Sequence, residues 1–324
     1  MTLPKIGITL GDPGGVGPEI IVKAFASIHC LPKAHYILFG SRYVLEQEED
    51  ALSLDFSLPP VTSFEDISEQ GAFLHEVDCP VHTVEKGRPS KKNGDSSFRY
   101  YEIAVQEAQA GNLKAIITAP VSKHSWNLAG IPWAGHTDYL NHLYPEAIMF
   151  FWSKALKVAL YTHHLPLREA IERVKEAPLF EFFIRLQKYL EKTPLHDHEL
   201  IIAGLNPHAG EEGLMGSEEG EEILPAIENA RKKGVPISGP YPPDAVFRKA
   251  LNHPDKIVVS LYHDQGLIPF KIHSFEQGVN VTLGLPFVRT SPCHGTAFDI
   301  AGKGVADPQS MIEAIKLAHR FTSL

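Results

Sequence analysis

Three short hydrophobic runs of this chain each end in a histidine, and they constrain the fold more than any other feature. The runs are KVALYTHH (Lys157–His164), ELIIAGLNPH (Glu199–His208) and KIVVSLYH (Lys256–His263). Continuous apolar runs of this length predict strands of a parallel sheet that is buried on both faces. Because ligands of open α/β sheets bind beyond the carboxyl ends of the strands, the three imidazoles are expected at one edge. Three imidazole nitrogens with one open position are a pattern typical of a metal site that also takes a substrate.

Strand-like and helical segments alternate along the rest of the chain, which predicts an α/β protein. Further strand-like runs lie at Lys5–Leu10, His35–Phe39, Ala115–Thr118 and Val279–Leu283. Helical patterns lie at Ser97–Ala110, Pro166–Glu191, Glu218–Lys233 and Asp307–Phe321, and Pro178 is expected to kink or divide the second of them.

Composition excludes several classes of protein. The formal net charge of −9 argues against non-specific nucleic-acid binding. Three widely spaced cysteines predict reduced thiols and a cytoplasmic location. The N-terminal apolar run is shorter than that of a signal peptide, and no stretch is long enough for a membrane helix. A chain of 324 residues fits two domains or one large α/β unit.

Two glycine-rich segments are candidate ligand loops. GDPGGVGPE (Gly11–Glu19) follows the first strand, as at many nucleotide-binding edges, although a simple tight turn explains the glycines equally well. It lacks the Rossmann fingerprint because Ile20 stands where GxGxxG needs its last glycine. HGTAFDIAGKG (His294–Gly304) has small residues around an aspartate, and a flat ring could approach such a loop closely.

Cationic and polar residues elsewhere are suited to an anionic ligand. TAPVSK (Thr118–Lys123) follows a strand, and GHTD (Gly135–Asp138) places a histidine and a threonine on a glycine turn, where the threonine is also a candidate helix cap. Lys271, Asn280 and Arg289 flank an apolar strand. Arginine and lysine give charge-assisted hydrogen bonds to phosphate or carboxylate.

Taken together, these segments resemble the 4-hydroxythreonine-4-phosphate dehydrogenase family of pyridoxal phosphate biosynthesis. The similar segments run in order from residue 11 to residue 304. The resemblance implies a two-domain α/β/α subunit with mostly parallel sheets, similar to isopropylmalate and isocitrate dehydrogenases, which bind NAD without a Rossmann fingerprint. It implies a cofactor-side domain (1–130 and 288–324), a metal- and substrate-side domain with the dimer interface (131–287), and a homodimer with its active site at the subunit boundary.

The resemblance also implies the site residues and the reaction. The metal ligands are His164, His208 and His263, with His163 the competitor at the first position. NAD or NADP and one divalent metal, Zn, Co or Mg, serve as cofactors in the oxidation of 4-phosphooxy-L-threonine at C3, and the product decarboxylates to 3-amino-2-oxopropyl phosphate. The substrate residues are His136, Thr137, Lys271, Asn280 and Arg289; the catalytic residues are Asp244 and Lys271; the cofactor residues are Gly11, Asp12, Gly15, His294, Gly295, Thr296 and Asp299.

The chain departs from the family pattern at Cys293, where an acidic residue is usual, and this leaves NAD versus NADP open. Paralogues that oxidise D-threonate or D-erythronate 4-phosphate, or a dihydrodiol carboxylate, are alternatives. A metal-dependent hydrolase with Asp264 or Glu211 activating water is a further alternative, but it leaves HGTAFDIAGKG without a role.

Overall fold

The computed structural model describes residues 3–61, 63–67, 69–79 and 83–322, and the ends of the predicted cofactor-side domain at 1–2 and 323–324 lie outside them. The chain forms two compact units, Met1–Ala147 with Leu285–Ser323, and Ile148–Gly284. The predicted roles of the two domains stay predictions.

The first unit contains the strands β1 (Lys5–Thr9), β2 (His35–Gly40), β3 (Gly71–Glu76), β4 (Ala115–Thr118) and β11 (Val288–Pro292). They are parallel and lie in the order β3-β2-β1-β4-β11. Every residue of β2 and β4 is buried. Since successive side chains of a strand point to opposite faces, both faces of these strands are covered. The helices are α1 (Gly17–Phe25), α2 (Arg42–Leu52), α3 (Lys91–Gln109), α4 (Lys123–Leu128), α5 (His136–Leu143) and α11 (Gln309–Phe321).

The second unit contains the strands β5 (Ile148–Trp152), β6 (Lys157–Leu160), β7 (Glu199–Ala203), β8 (Ile237–Tyr241), β9 (Lys256–Ser260) and β10 (Val279–Leu283). Their order is β10-β5-β6-β9-β7-β8. Strand β5 pairs antiparallel with β10 and β6, while β6, β9, β7 and β8 are parallel. The helices are α6 (Leu167–Glu172), α7 (Glu176–Leu190), α8 (Leu224–Lys232), α9 (Pro243–Ala250) and α10 (His263–Ser274), with a π turn at Glu219–Ile223 before α8. The predicted α/β class with mostly parallel strands is confirmed.

The predicted break in the helical segment 166–191 is present, but the prediction that Pro178 causes it was wrong. The chain leaves the helix after Glu172 and starts again at Glu176, so Pro178 lies in the first turn of α7. A proline fits there because the first N–H groups of a helix have no intrahelical partner.

No helix among the described residues is long and apolar enough to cross a membrane.

Candidate active site

The three histidine-bearing segments follow neighbouring strands of the second unit. Strand β9 lies between β6 and β7, and all three are parallel. Their carboxyl ends therefore lie at one edge of the sheet, as the sequence predicts. His263 is the first residue of α10, His164 lies four residues beyond β6, and His208 lies five residues beyond β7.

His164 and His263 share a cavity of about 240 Å³. Their ring centroids are 5.7 Å apart, and the half-buried His163 ring lies 5.2 Å from that of His164. Burial, with a smaller effect of His263, lowers the pKa of His163. Both competitors for the first ligand position thus lie beside His263, and His164 has the left-handed φ of 52° that often marks functional positions.

Asp264 orients the His263 ring. The Nδ1 atom of His263 lies 2.7 Å from Asp264 Oδ1. A ring that donates from Nδ1 to a carboxylate has its Nε2 lone pair available, which is the usual arrangement of a metal-binding histidine. This contact argues against the hydrolase alternative, because that alternative needs Asp264 to activate water, and the carboxylate instead faces an imidazole.

His208 lies in a left-handed turn. Residues 208 to 212 have φ values of 52°, 53°, 80°, 43° and 55°, and only Gly210 among them is a glycine. Left-handed backbone is unfavourable for residues with a Cβ, so the surroundings must impose this conformation. Asn206, which precedes the turn, donates its side-chain amide to Glu218 at 2.8 Å and to Glu219 at 2.9 Å.

The candidate metal-ligating side chains are suited to a divalent ion, although the described residues of one chain do not form a complete set of ligands. Within the described ranges, no three His, Cys, Asp or Glu side chains form a group that could hold a metal. Two imidazoles share one cavity, one of them has a carboxylate on its far nitrogen, and His208 is exposed beyond the neighbouring strand. Imidazole nitrogens of this kind suit Zn or Co.

The remaining predicted residues of this unit occupy separate positions. Lys271 is exposed on α10, two turns after His263. Asn280 lies on β10, and its Oδ1 is buried without a hydrogen bond from the described residues. Asp244 is exposed in the first turn of α9 and lines a wider cavity of about 790 Å³ together with Asp264 and Gln265.

In the first unit, the buried side chains of His136 and Arg289 lie near each other. Arg289 is 2% exposed and donates from Nη2 to Thr118 Oγ1 at 2.7 Å. Burial, and then the Arg289 charge, hold the pKa of His136 well below its usual value. The ring is therefore neutral at pH 7, and its buried Nε2 has no hydrogen-bond partner among the described residues.

Tyr101 belongs to the same buried cluster as His136 and Arg289, although the sequence did not single it out. Its ring lies 4.4 Å from the His136 ring, and its hydroxyl donates to the His136 carbonyl at 3.0 Å. Helix α5 begins at His136 after Gly135, whose φ is 134°, without a side-chain cap. The expectation that Thr137 caps this helix was therefore wrong, because Thr137 lies inside the first turn, directly after His136.

The two glycine-rich segments meet in the first unit. The Val16 N–H donates to the Thr296 carbonyl at 2.9 Å. A Cβ on Gly15 would lie 2.8 Å from the same oxygen, so only glycine allows this approach. Gly11 has a φ of 73°, and a Cβ at this position would clash with the Pro120 carbonyl, so this position also requires glycine. Residues Gly11, Gly15 and Thr296 are thus brought together.

Asp12 lies beneath this turn. It is fully buried, and its Oδ1 accepts from the Gly14 N–H at 2.9 Å. Burial raises the pKa of this carboxyl, against the opposing hydrogen bonds of Ser125 and Gly14. Its Oδ2 has no partner among the described residues. An unsatisfied buried oxygen is costly, which points to a ligand or water at this position.

The other predicted cofactor residues are more open to solvent. His294 is half-buried, with Nδ1 2.9 Å from the Gly295 carbonyl, and its Nε2 is buried without a described partner. Gly295 and Asp299 are exposed. A loop with free polar atoms next to a glycine turn can accept a nucleotide.

Comparison with known proteins identifies the family. The family model described as "Pyridoxal phosphate biosynthetic protein PdxA" matches residues 32–318. The chain belongs to this family. Among PdxA-family relatives, a 4-hydroxythreonine-4-phosphate dehydrogenase of Sulfurihydrogenibium sp. is 41% identical, over 97% of each chain. A putative D-threonate 4-phosphate dehydrogenase of Halalkalibacterium halodurans is 39% identical, over 98% of this chain and 97% of the relative.

Solved structures agree with the PdxA-family assignment. The 4-hydroxythreonine-4-phosphate dehydrogenase of Klebsiella pneumoniae superposes with a TM-score of 0.88, at 34% identity and over 99% of each chain. A beta-decarboxylating dehydrogenase of Thermococcus kodakarensis, 13% identical, matches with a TM-score of 0.50 over 98% of this chain and 82% of that one. The second likeness concerns the fold alone, and it confirms the predicted isopropylmalate dehydrogenase-like class.

Proposed function

We propose that this protein is an NAD(P)- and divalent-metal-dependent dehydrogenase that oxidises 4-phosphooxy-L-threonine at C3. The main support is the pair of imidazoles, His164 and His263, 5.7 Å apart in one cavity of a chain that belongs to the PdxA family. His208, on the neighbouring strand end, is the third proposed ligand. When bound, the cation supplies Lewis acidity at the alcohol oxygen, and the nicotinamide supplies the hydride acceptor.

Arg289 is proposed to hold an anionic end of the substrate. Its guanidinium is buried and fixed by Thr118, so little side-chain entropy remains to be lost on binding. His136, kept neutral by burial and by the Arg289 charge, would use its free Nε2 as a hydrogen-bonding group, with Thr137 beside it. A neutral ring suits this position because a second cation would be repelled.

In the second unit, Lys271 and Asn280 are proposed as further substrate contacts. The buried, unsatisfied Oδ1 of Asn280 is suited to an ammonium or hydroxyl donor of the substrate. The oxidised product is a β-keto acid, and the Lys271 ammonium would stabilise the charge that develops as carbon dioxide leaves. Asp244 is proposed to accept a proton.

The glycine turn with Gly11, Asp12 and Gly15 and the loop with His294, Gly295, Thr296 and Asp299 are proposed to bind the nucleotide. The support is their direct contact at Val16 and Thr296 and the unsatisfied oxygen of Asp12. A cytoplasmic location is part of the same proposal.

A homodimer is proposed from the surface of α10. Ile268, Ile272 and Phe275 lie on one side of this segment and are 59%, 75% and 52% exposed. An apolar stripe of this kind is typical of a protein interface. It lies on the helix that starts with His263, so a second copy placed there would approach the proposed metal ligands.

D-threonate 4-phosphate is the second candidate substrate. The observation that favours it is the 39% identity to a putative D-threonate 4-phosphate dehydrogenase, close to the 41% of the first relative. The two substrates differ at C2, where one carries an amino group and the other a hydroxyl group.

Absorbance at 340 nm with NAD⁺ or NADP⁺ and a panel of both phosphates tests the proposal. We expect turnover with 4-phosphooxy-L-threonine, loss of metal and activity in His208→Ala, and neither loss in His196→Ala, an exposed histidine outside the site. Metal content by mass spectrometry accompanies each assay. Full activity in a metal-free His208→Ala protein would refute the metal role, and preference for the threonate would select the alternative.

A further inference from the structure

Buried polar side chains join the strand ends that carry the three histidines. Thr162 Oγ1 donates to the Leu261 carbonyl at 2.7 Å and connects the end of β6 to that of β9. Gln265 accepts from the Leu261 N–H at 2.7 Å and donates to the Gly204 carbonyl at 2.7 Å, which connects β9 to β7. These hydrogen bonds therefore connect the ends of the three neighbouring strands β6, β9 and β7 to one another.

Glu219 extends this series to the turn that carries His208. Its Oε1 accepts from the backbone N–H groups of Leu205 at 2.8 Å and Asn206 at 2.7 Å. Its Oε2 accepts from the Asn206 side-chain amide at 2.9 Å. A Cβ on Gly210 would lie 2.8 Å from the same oxygen, so the carboxylate also lies directly against the turn.

Thr162, Gln265 and Glu219 are here called the strand-end frame. They are 7%, 8% and 5% exposed, respectively. A buried carboxylate that receives three hydrogen bonds is a rigid support, because each of these bonds is charge-assisted. Glu219 also begins a π turn, a local irregularity that is frequent near functional sites.

The left-handed turn explains why such a support is needed. Residues 208, 209, 211 and 212 are not glycines and still have φ between 43° and 55°. The turn makes internal hydrogen bonds from the Ala209 N–H to the Asn206 carbonyl and from the Leu214 N–H to the Glu211 carbonyl. Without the Glu219 carboxylate at its entrance, the backbone N–H groups of Leu205 and Asn206 would lose the acceptor that sets the direction of the chain into this turn.

We propose that Glu219 and Gln265 are positioning residues that hold His208 and His263 in place for binding one divalent ion. The inference rests on the proposed function, since it takes these histidines as ligands. Neither residue would touch the ion or the substrate. Gln265 fixes the start of α10, where His263 stands, to the end of β7, and Glu219 fixes the turn that follows β7.

Two variants of the full chain test the proposal. Glu219→Gln replaces an acceptor oxygen by an NH₂ group that faces the Asn206 amide, and Gln265→Met keeps the length of the side chain but removes both hydrogen bonds. Glu222→Gln is the matched control, because Glu222 also accepts from a backbone N–H, that of Glu176 at 2.8 Å, but supports α7 instead.

The first measurement is hydrogen exchange of the metal-free proteins by mass spectrometry. In Glu219→Gln, the peptides that cover residues 204–214 should exchange about tenfold faster, since two backbone N–H groups lose a charge-assisted partner. The same peptides in Glu222→Gln should exchange as in the wild type. Unchanged exchange in Glu219→Gln would overturn the inference.

The second measurement is titration with Co²⁺, followed by calorimetry and by the visible spectrum of the bound ion. Removal of groups that orient metal ligands weakens binding about 10- to 100-fold, and we expect this loss in Glu219→Gln and Gln265→Met, with an altered Co²⁺ spectrum. Equal affinity and identical spectra in wild type and both variants would overturn the inference. A wild-type protein that binds no Co²⁺ is a different result, which would refute the proposed metal site itself.

Discussion

The buried, neutral His136 gives a pH dependence of stability that can be worked out in advance. Burial and the Arg289 charge lower the pKa of this ring in the folded protein, whereas the unfolded chain has a value of about 6.5. Below pH 6.5 the unfolded state therefore binds a proton that the folded state does not bind. The contribution of the neutral ring to the free energy of unfolding is fully present above this pH, and it is lost as the pH falls toward the folded pKa.

The size of the effect follows from proton linkage. Because the folded ring resists protonation, the unfolded chain alone takes up a proton, and the free energy of unfolding falls by roughly 1 kcal/mol between pH 7.5 and pH 5.5. His136→Gln removes the titrating ring and keeps a polar side chain. The difference in the free energy of unfolding between wild type and variant should therefore shrink by roughly 1 kcal/mol over the same pH range.

Urea unfolding at several pH values measures this difference. Trp126, whose ring lies 5.6 Å from that of His136, reports on the same unit by fluorescence. The loss of contact with Tyr101 lowers the stability of the variant by an amount that does not depend on pH. Measurements at pH 7.5 and 8.5 provide the control, because the difference in the free energy of unfolding between the two proteins must be the same at both of these pH values. A constant difference down to pH 5.5 would refute the assignment of a buried neutral ring.

Two further predictions concern packing. A Cβ on Gly266 would lie 2.8 Å from side chains of β6 and β9, so Gly266→Ala should lower the free energy of unfolding by about 1–3 kcal/mol in urea. Gly220→Ala, where nothing lies within 4 Å, is the control and should be neutral or stabilising, and equal effects at both glycines would contradict the packing argument. Ser90 Oγ accepts from the Asn93 N–H at the start of α3, so Ser90→Ala should cost about 0.5–2 kcal/mol, and no change in the urea midpoint would count against this cap.

Local sequence patterns predicted many of the elements but missed the strands β3, β5, β8 and β11. The runs at β6, β7 and β9 were evident because continuous apolar residues are needed wherever both faces of a strand are buried. Strand β8 was missed since its sequence ISGPY contains a glycine and a proline. Proline removes a ladder hydrogen bond, and it is tolerated here because β8 is the last strand in the order of its unit.

The residues of the candidate site were likewise predicted only in part. The sequence indicated histidines just beyond strand ends, and it indicated Arg289 and His136 near strand ends and glycine turns. It did not reveal that Tyr101 lies against His136, or that Glu219 and Gln265 support the histidine segments. These contacts join residues far apart in the chain, and a polar side chain has no local signature of its distant partner.

Local patterns were sufficient to predict the α/β class, the strands β6, β7 and β9 and the histidines that follow them, because periodicity and glycine or proline breaks act over a few residues. The position of β9 between β6 and β7, the cavity shared by His164 and His263, and the left-handed turn at His208 depend on contacts between residues far apart in the chain. Strand neighbours are chosen by packing across the whole unit, and a strained turn persists only where distant groups such as the Glu219 carboxylate hold it.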